Sequence, residues 1–436
     1  MFKKFILIIC ISVIGHNISN AQYKKSYTLG DAISEALKNN SELVNAKFDR
    51  LKASEKVSET YNENLLPNLT LNSQFVRAFK KQVIDIFGQR YEVQLDNTIT
   101  NVFQASEPIP VLGTPVFSGI RIAEYYANLQ NENVSAVETK IKTDVKKAFN
   151  NVLFLNEVVN LNKLSLQNAE ENFAVVELKY KNGVQTEFDF LRAKVKVENI
   201  KPELSKSENN LIISKKLLKN TIGLKQSEEV DVIGNLSYDS NEVFGNTDVV
   251  LKKISEENVS VRQLNISKLI NKELITIDNA NFLPKLFVFG QWQIDANEND
   301  GRSIFKYRYY NVLNAGIGLS WNLNFFRNTF KKRQSEIELK KTEETISDLK
   351  QKLRISGQNT LLKLDDAKKR IIAQYETVKL AERGYELANL SFKNGVLNQI
   401  DVLDAEFTLN QTKLAYLQAI YDYQNSKAEL EGLLEK

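Results

Sequence analysis

From about Gly119 to Lys181 the apolar residues recur every three or four positions, through Val134, Val137, Ile141, Val145, Ala148, Val152, Leu155 and Val159. That is roughly 60 residues of helical period, or about 90 Å at ~1.5 Å per residue. A helix of that length cannot be covered by an ordinary globular core and needs helical partners along its course. A second pattern of the same kind runs from about Thr329 to Asn394, with Ile346, Leu349, Leu353, Leu364, Ala367, Ile371, Tyr375 and Val378 in its seam. Any fold for this chain must accommodate both.

Both long helices end in nearly the same phrase. One copy is Leu178-Lys-Tyr-Lys-Asn-Gly-Val-Gln-Thr-Glu-Phe-Asp-Phe-Leu-Arg-Ala-Lys194; the other is Leu390-Ser-Phe-Lys-Asn-Gly-Val-Leu-Asn-Gln-Ile-Asp-Val-Leu-Asp-Ala-Glu406. Glycine closing a helix, a few polar residues and a new apolar 3/4 repeat predict a tight helix-to-helix turn. The return helices run from about Glu187 to Ile222, where Pro202 predicts a bend or break, and through Ile400, Leu403, Phe407, Leu414, Leu417 and Tyr421. The rest repeats too. A helix from Leu29 to about Leu66, with Thr28 and Asp31 as a capping box, stops at Pro67; one from about Asp248 to Phe282 stops at Leu283-Pro284. Each is followed by two alternating runs, about 68–76 and 95–105, then about 285–295 and 312–324. A polar loop separates the first pair, and the rigid segment Pro108–Pro115 leads to the long helix. The chain therefore divides into a signal segment 1–21, a first repeat 22–224, a polar inter-repeat segment 225–246 and a second repeat 247–436.

Four strands of about ten residues have the length to cross an outer membrane when tilted, with one apolar and one polar face. Trp292, Tyr309, Tyr310 and Trp321 cluster near strand ends, where an interfacial girdle would sit. The other reading is a half-buried antiparallel sheet in a soluble domain. Four strands cannot close a membrane barrel, and an open edge in lipid is prohibitive. If they span, several chains must share one barrel; three would supply twelve strands.

Composition removes most chemistry. Lys3 and Lys4, the apolar run Phe5–Ile14 and the small residues Ser19 and Ala21 read as a secretory signal cleaved before Gln22. Cys10 lies too early for a lipoprotein cysteine, so no lipid anchor is expected. Met1, Cys10 and His16 are the only residues of their types, so the mature chain has neither thiol nor imidazole. Thiolate nucleophiles, His bases and His/Cys metal sites are excluded. Asp365 and Asp366 are adjacent in mid-helix and point apart, unlike a glycosidase pair. The net charge of +4, partly from the signal, does not suggest nucleic acid. No catalytic residue, cofactor or metal is expected.

The chain resembles the TolC-like outer-membrane efflux proteins. The likeness rests on the duplicated plan, the opening Tyr27-Thr-Leu-Gly-Asp-Ala-Ile-Ser-Glu-Ala-Leu37, the Leu-Pro strand entries, and the run from Phe392 through Gly395, Asp401, Val402, Leu403 and Asp404 to Ala405. It implies a mainly α fold with a small transmembrane β part. The four strands would complete a twelve-stranded barrel in a homotrimer, continuous with a long periplasmic helical barrel. It also implies an outer-membrane location in a Gram-negative bacterium, and passive export. The partners would be a periplasmic adaptor (membrane fusion) protein, an inner-membrane pump of RND or ABC type, and outer-membrane lipid.

By the same resemblance, the two turns lie at the periplasmic tip, where Asn182, Gly183, Val184, Asn394, Gly395 and Val396 would touch the adaptor. Asp401 and Asp404 match the family's constriction acids. Their spacing puts both on one helix face, and rings of carboxylates favour cations. The alternative is that Asp401 caps the closing helix and Asp404 is solvated. The first-repeat counterparts are Asp189 and Arg192, candidates for pairing at the tip. Leu397 stands where the family has a basic residue that helps hold the tip closed, so that link is absent or rebuilt. Small-molecule efflux, protein export beside an ABC transporter, and a periplasmic coiled-coil scaffold without a pore remain distinct functional readings; a carboxylate hydrolase has no supporting constellation.

Overall fold

The computed structural model describes residues 25–111, 113–225, 227–240, 242, 244–299 and 302–435. The expected signal segment 1–21 lies outside the described residues, as do Leu112 of the proline-rich connector and Asp300 and Gly301 of the solvated loop. In chain order the elements are β1 (Lys25–Tyr27), α1 (Leu29–Asn39), α2 (Ser41–Leu65), β2 (Asn68–Arg77), β3 (Val83–Ile86), β4 (Gln89–Glu92) and β5 (Asn97–Pro108). The two-helix hairpin α3 (Val116–Lys181) and α4 (Glu187–Ile222) completes the first repeat. The second repeat follows β6 (Val230–Val232), with α5 (Thr247–Glu257), α6 (Val259–Ala280), β7 (Lys285–Glu298), β8 (Tyr309–Ser320), α7 (Phe325–Lys393) and α8 (Gln399–Leu433).

Each opening helix is two helices. Asn40 and Asn258 both take extended backbone, with ψ of 124° and 141°. Each asparagine amide then donates to a carbonyl near the end of its own repeat's closing helix: Asn40 to Thr221 O at 2.9 Å, Asn258 to Leu433 O at 3.4 Å. The break is thus a duplicated feature, accompanied in both repeats by a long-range side-chain bond that a local apolar period cannot reveal. Pro202, by contrast, interrupts nothing: α4 is one helix of 36 residues. The carbonyl its missing N–H would have served belongs to Glu198, an exposed residue on the open side of the helix, where solvent is available to it.

The chain forms two compact units. One contains the described part of Met1–Asn40 with Asp144–Tyr238 and Ala367–Asn425. It holds the two hairpin turns, the parallel pair of β1 with β6, and a helical core that includes Val145, Phe149, Val152 and Tyr423. The other contains Ser41–Thr143, Asp239–Asp366 and Ser426–Lys436, and carries the main sheet.

That sheet is antiparallel in the order β2-β5-β7-β8. Its central pair, β5 with β7, joins strands of different repeats. Register puts Leu69, Leu71, Phe75, Phe103, Val288, Trp292, Leu313, Ile317 and Leu319 on one face, and all are exposed. Thr70, Asn72, Gln74, Thr100, Gln104, Gln291, Gln293, Asp295 and Asn314 lie on the other. The connector after β5 is pinned along β7: Ile109 N–H donates to Leu286 O and Gly113 N–H to Pro284 O. Only glycine fits at 113, because a Cβ there would stand 2.5 Å from the Leu283 carbonyl oxygen.

The stretch expected as a polar loop contains the hairpin of β3 with β4, turned at Phe87 and Gly88 with φ of 54° and 81°. Lys81 closes its base on Asp96 at 2.9 Å. The fourth strand ends at Ser320 instead of running to 324. Asn322 Oδ1 accepts from Asn324 N–H, and Asn324 O then accepts the N–H of Asn328, so α7 begins at once.

Candidate functional site

The two turns share a backbone. Gly183 and Gly395 have φ of 71° and 77°, the left-handed conformation that ends a helix. Val184 N–H reaches back to Lys179 O, and Val396 N–H to Ser391 O, both at 2.8 Å. Asn182 and Asn394 donate to carbonyls four residues earlier, and Val184 and Val396 are exposed.

The side chains differ. In the first turn the Thr186 hydroxyl accepts from Asp189 N–H at 3.2 Å and donates to the Asp189 carboxylate at 2.6 Å. In the second, Asn398 takes part through its backbone: its N–H donates to Asp401 Oδ2 at 3.0 Å and its carbonyl accepts from Asp401 N–H at 3.2 Å. Asp189 and Asp401 therefore both serve the start of a return helix. One turn further on, Arg192 lies 4.0 Å from Asp189 and 4.5 Å above the Phe188 ring. At the equivalent place stands Asp404, exposed like Asp401. Among the described residues neither Asp401 nor Asp404 pairs with a basic side chain. The first turn neutralises its acid; the second adds another.

One core anchors both turns. Val176, Ala193, Ala388, Phe392 and Val402 are buried together, with Phe173, Val175, Phe190, Tyr385 and Ala405 packed on them. Tyr180 stacks on Phe190 at 5.1 Å. Lys179 ties the hairpins directly: its Nζ donates to Phe392 O at 2.9 Å and lies 4.1 Å over the Phe392 ring. That carbonyl sits at the end of α7, where the negative pole of the helix favours a cation. Nothing in the sequence separated Lys179 from the other lysines of α3. Glu406 was legible but overlooked: Gln399, Val402, Glu406 and Leu409 step by 3 or 4 along α8, all buried, so a charge falls in an apolar seam.

In the other unit, Tyr309 and Tyr310 stand at one end of the sheet, opposite Ala296 and Asp295. Trp321 stands just past Ser320, which pairs with Lys285 at the other end, and its indole N–H donates to Phe282 O at 3.2 Å. Trp292 does not belong to a strand end. It falls mid-strand, opposite Phe103 and Leu313 and stacked on Phe103 at 5.5 Å, because β7 runs on to Glu298. No described helix is long and apolar enough to cross a membrane.

Known proteins place this architecture. The outer membrane efflux protein family model matches residues 32–224 and 250–435, most of the chain. Outer membrane protein TolC of Escherichia coli (strain K12) is 23% identical over 247 residues, 56% of this chain and 49% of that protein, so the match spans about half of TolC's length. The open state of the Neisseria gonorrhoeae MtrE outer membrane channel superposes with a TM-score of 0.75 at 19% identity, over 93% of this chain and 88% of that one. Outer membrane protein VceC of Vibrio cholerae gives 0.75 at 14% identity, over 93% and 96%. These likenesses show a duplicated TolC-like fold, and the chain belongs to the outer membrane efflux protein family.

Proposed function

We propose that this protein is the outer-membrane exit duct of a tripartite efflux system, passively exporting small molecules as a homotrimer. The observation that carries the reading is the four-stranded sheet. One face is mainly apolar and the other mainly polar, both are exposed along the outer strands, and β2 and β8 are left as open edges. Edges ten and twelve residues long, in lipid, would leave backbone N–H and C=O groups without partners. Pairing β8 of one copy with β2 of the next removes every edge, and three copies give twelve strands. Leu69, Leu313 and Ile317 then face lipid, while Gln291, Gln293 and Asp295 face the lumen.

In this trimer, copies of Asp401 and Asp404 line a constriction that prefers cations. The exposed turns, with Val184 and Val396, receive a periplasmic adaptor, which links the duct to an inner-membrane pump that supplies the energy. Tyr309 and Tyr310 mark one membrane interface and Trp321 the other.

The test is purification in detergent, mass determination by light scattering, and planar-bilayer recording. A mass of three chains and discrete cation-preferring conductance are expected. A stable monomer, or a trimer that forms no channels, would sink the reading.

A further inference from the structure

Glu406 is the charged group most deeply buried in the unit that holds the turns, at 2% exposure. Four helices meet around it. From α3, the Ser165 hydroxyl approaches Oε1 at 3.5 Å and is itself held by Asn410 of α8 at 3.1 Å. From α4, the Lys196 ammonium stands 3.9 Å from Oε2. From α7 comes Tyr385, within electrostatic reach of both Glu406 and Glu171 of α3. Neither direct contact reaches good hydrogen-bond length, so the carboxylate is out of water without full compensation. Two turns of helix away, Gln399 is 1% exposed and neither of its amide atoms finds a partner in the described structure.

We propose that Glu406 is a proton-linked joint of this bundle: one proton on its carboxyl sets how tightly the start of α8 packs against α3 and α4. Burial pushes the Glu406 carboxyl above the ordinary carboxylate range, against the smaller opposing pull of Lys196 and Ser165. Tyr385 is pushed up, first by burial and then by the Glu406 and Glu171 charges, and stays neutral across the range concerned. The packed bundle therefore binds the proton more tightly than an opened one in which Glu406 meets water. The resulting stabilisation is complete below the ordinary glutamate value and is lost as pH rises through the elevated one. Tyr385 also lines a cavity of about 380 Å³ with Glu171, Asn172 and Asn389, so the tyrosine of the cluster borders open space. The first two turns of α8, with Asp401 and Asp404, loosen when Glu406 ionises.

Hydrogen exchange along residues 399–413 of the purified full-length protein tests this, at about pH 5, at about pH 7.5 and at steps between and above them, corrected for intrinsic rates. The parent should lose protection several-fold at the higher pH. Glu406→Gln, which keeps the shape and removes the charge, should stay protected at both. Lys196→Met removes the Lys196 charge and should move the transition to higher pH. Equal pH dependence in parent and Glu406→Gln, a parent whose protection does not fall, or an unmoved transition in Lys196→Met each overturns the proposal.

Discussion

The turn at Gly183 and the turn at Gly395 are the same object in backbone and different objects in charge. Both close a long helix with a left-handed glycine and open the next with an aspartate. The first adds Thr186 as a hydroxyl cap and Arg192 as a counter-charge; the second has Asn398 and Asp404 in those places. Duplication kept what the chain direction requires and released what the surface presents. A left-handed residue and a helix start tolerate few residue types, whereas an exposed position one turn later tolerates nearly any.

The largest effect should come from the core on which both turns rest. Phe392 is 3% exposed under Lys179, whereas its counterpart Tyr180 is 37% exposed. Phe392→Ala should cost about 3–5 kcal/mol in denaturant unfolding and Tyr180→Ala much less; equal losses would mean the turns are supported alike. Gly183→Ala and Gly395→Ala should each cost about 1–2 kcal/mol by the same assay, nearly equally, since each has positive φ and open space around its missing Cβ. Unequal costs would break the claim of a shared backbone. The caps should separate the turns again: Thr186→Ala costs about 1 kcal/mol, Asn398→Ala only a few tenths, because the asparagine serves through its main chain. The smallest energies concern ions. Changing Asp401 and Asp404 together to Asn should lower the cation-to-anion permeability ratio a few-fold, an effect under ~1.4 kcal/mol. Arg192→Ala should leave that ratio nearly unchanged, and an equal or larger effect there would move the constriction to the first turn.

How much could be read in advance differs by element. The long helices, the two turns and the alternating faces were legible because each follows from a local period or from a glycine that no other residue replaces cheaply. The breaks at Asn40 and Asn258 were not, since each depends on a carbonyl far away in sequence. The hairpin from Val83 to Glu92 hid in a stretch too short and too polar at its turn to carry an alternation. Trp292 was placed at a strand end only because the strand proved longer than its clearest alternating core. For the site, Asp401 was open to two roles; it makes a capping bond to Asn398 N–H and stays exposed at the surface, so the two roles are compatible.

The duplicated order of helices and strands, the absence of thiol and imidazole beyond the first residues, and a sheet with too few strands to close are all legible along the chain. These are properties of neighbours along the chain and of composition. That Lys179 grips the end of α7, that one core supports both turns, and that Glu406 is shut away from water follow from helix packing alone. Those depend on which faces of different helices meet, and a periodic pattern specifies that a face is apolar without saying what will lie against it.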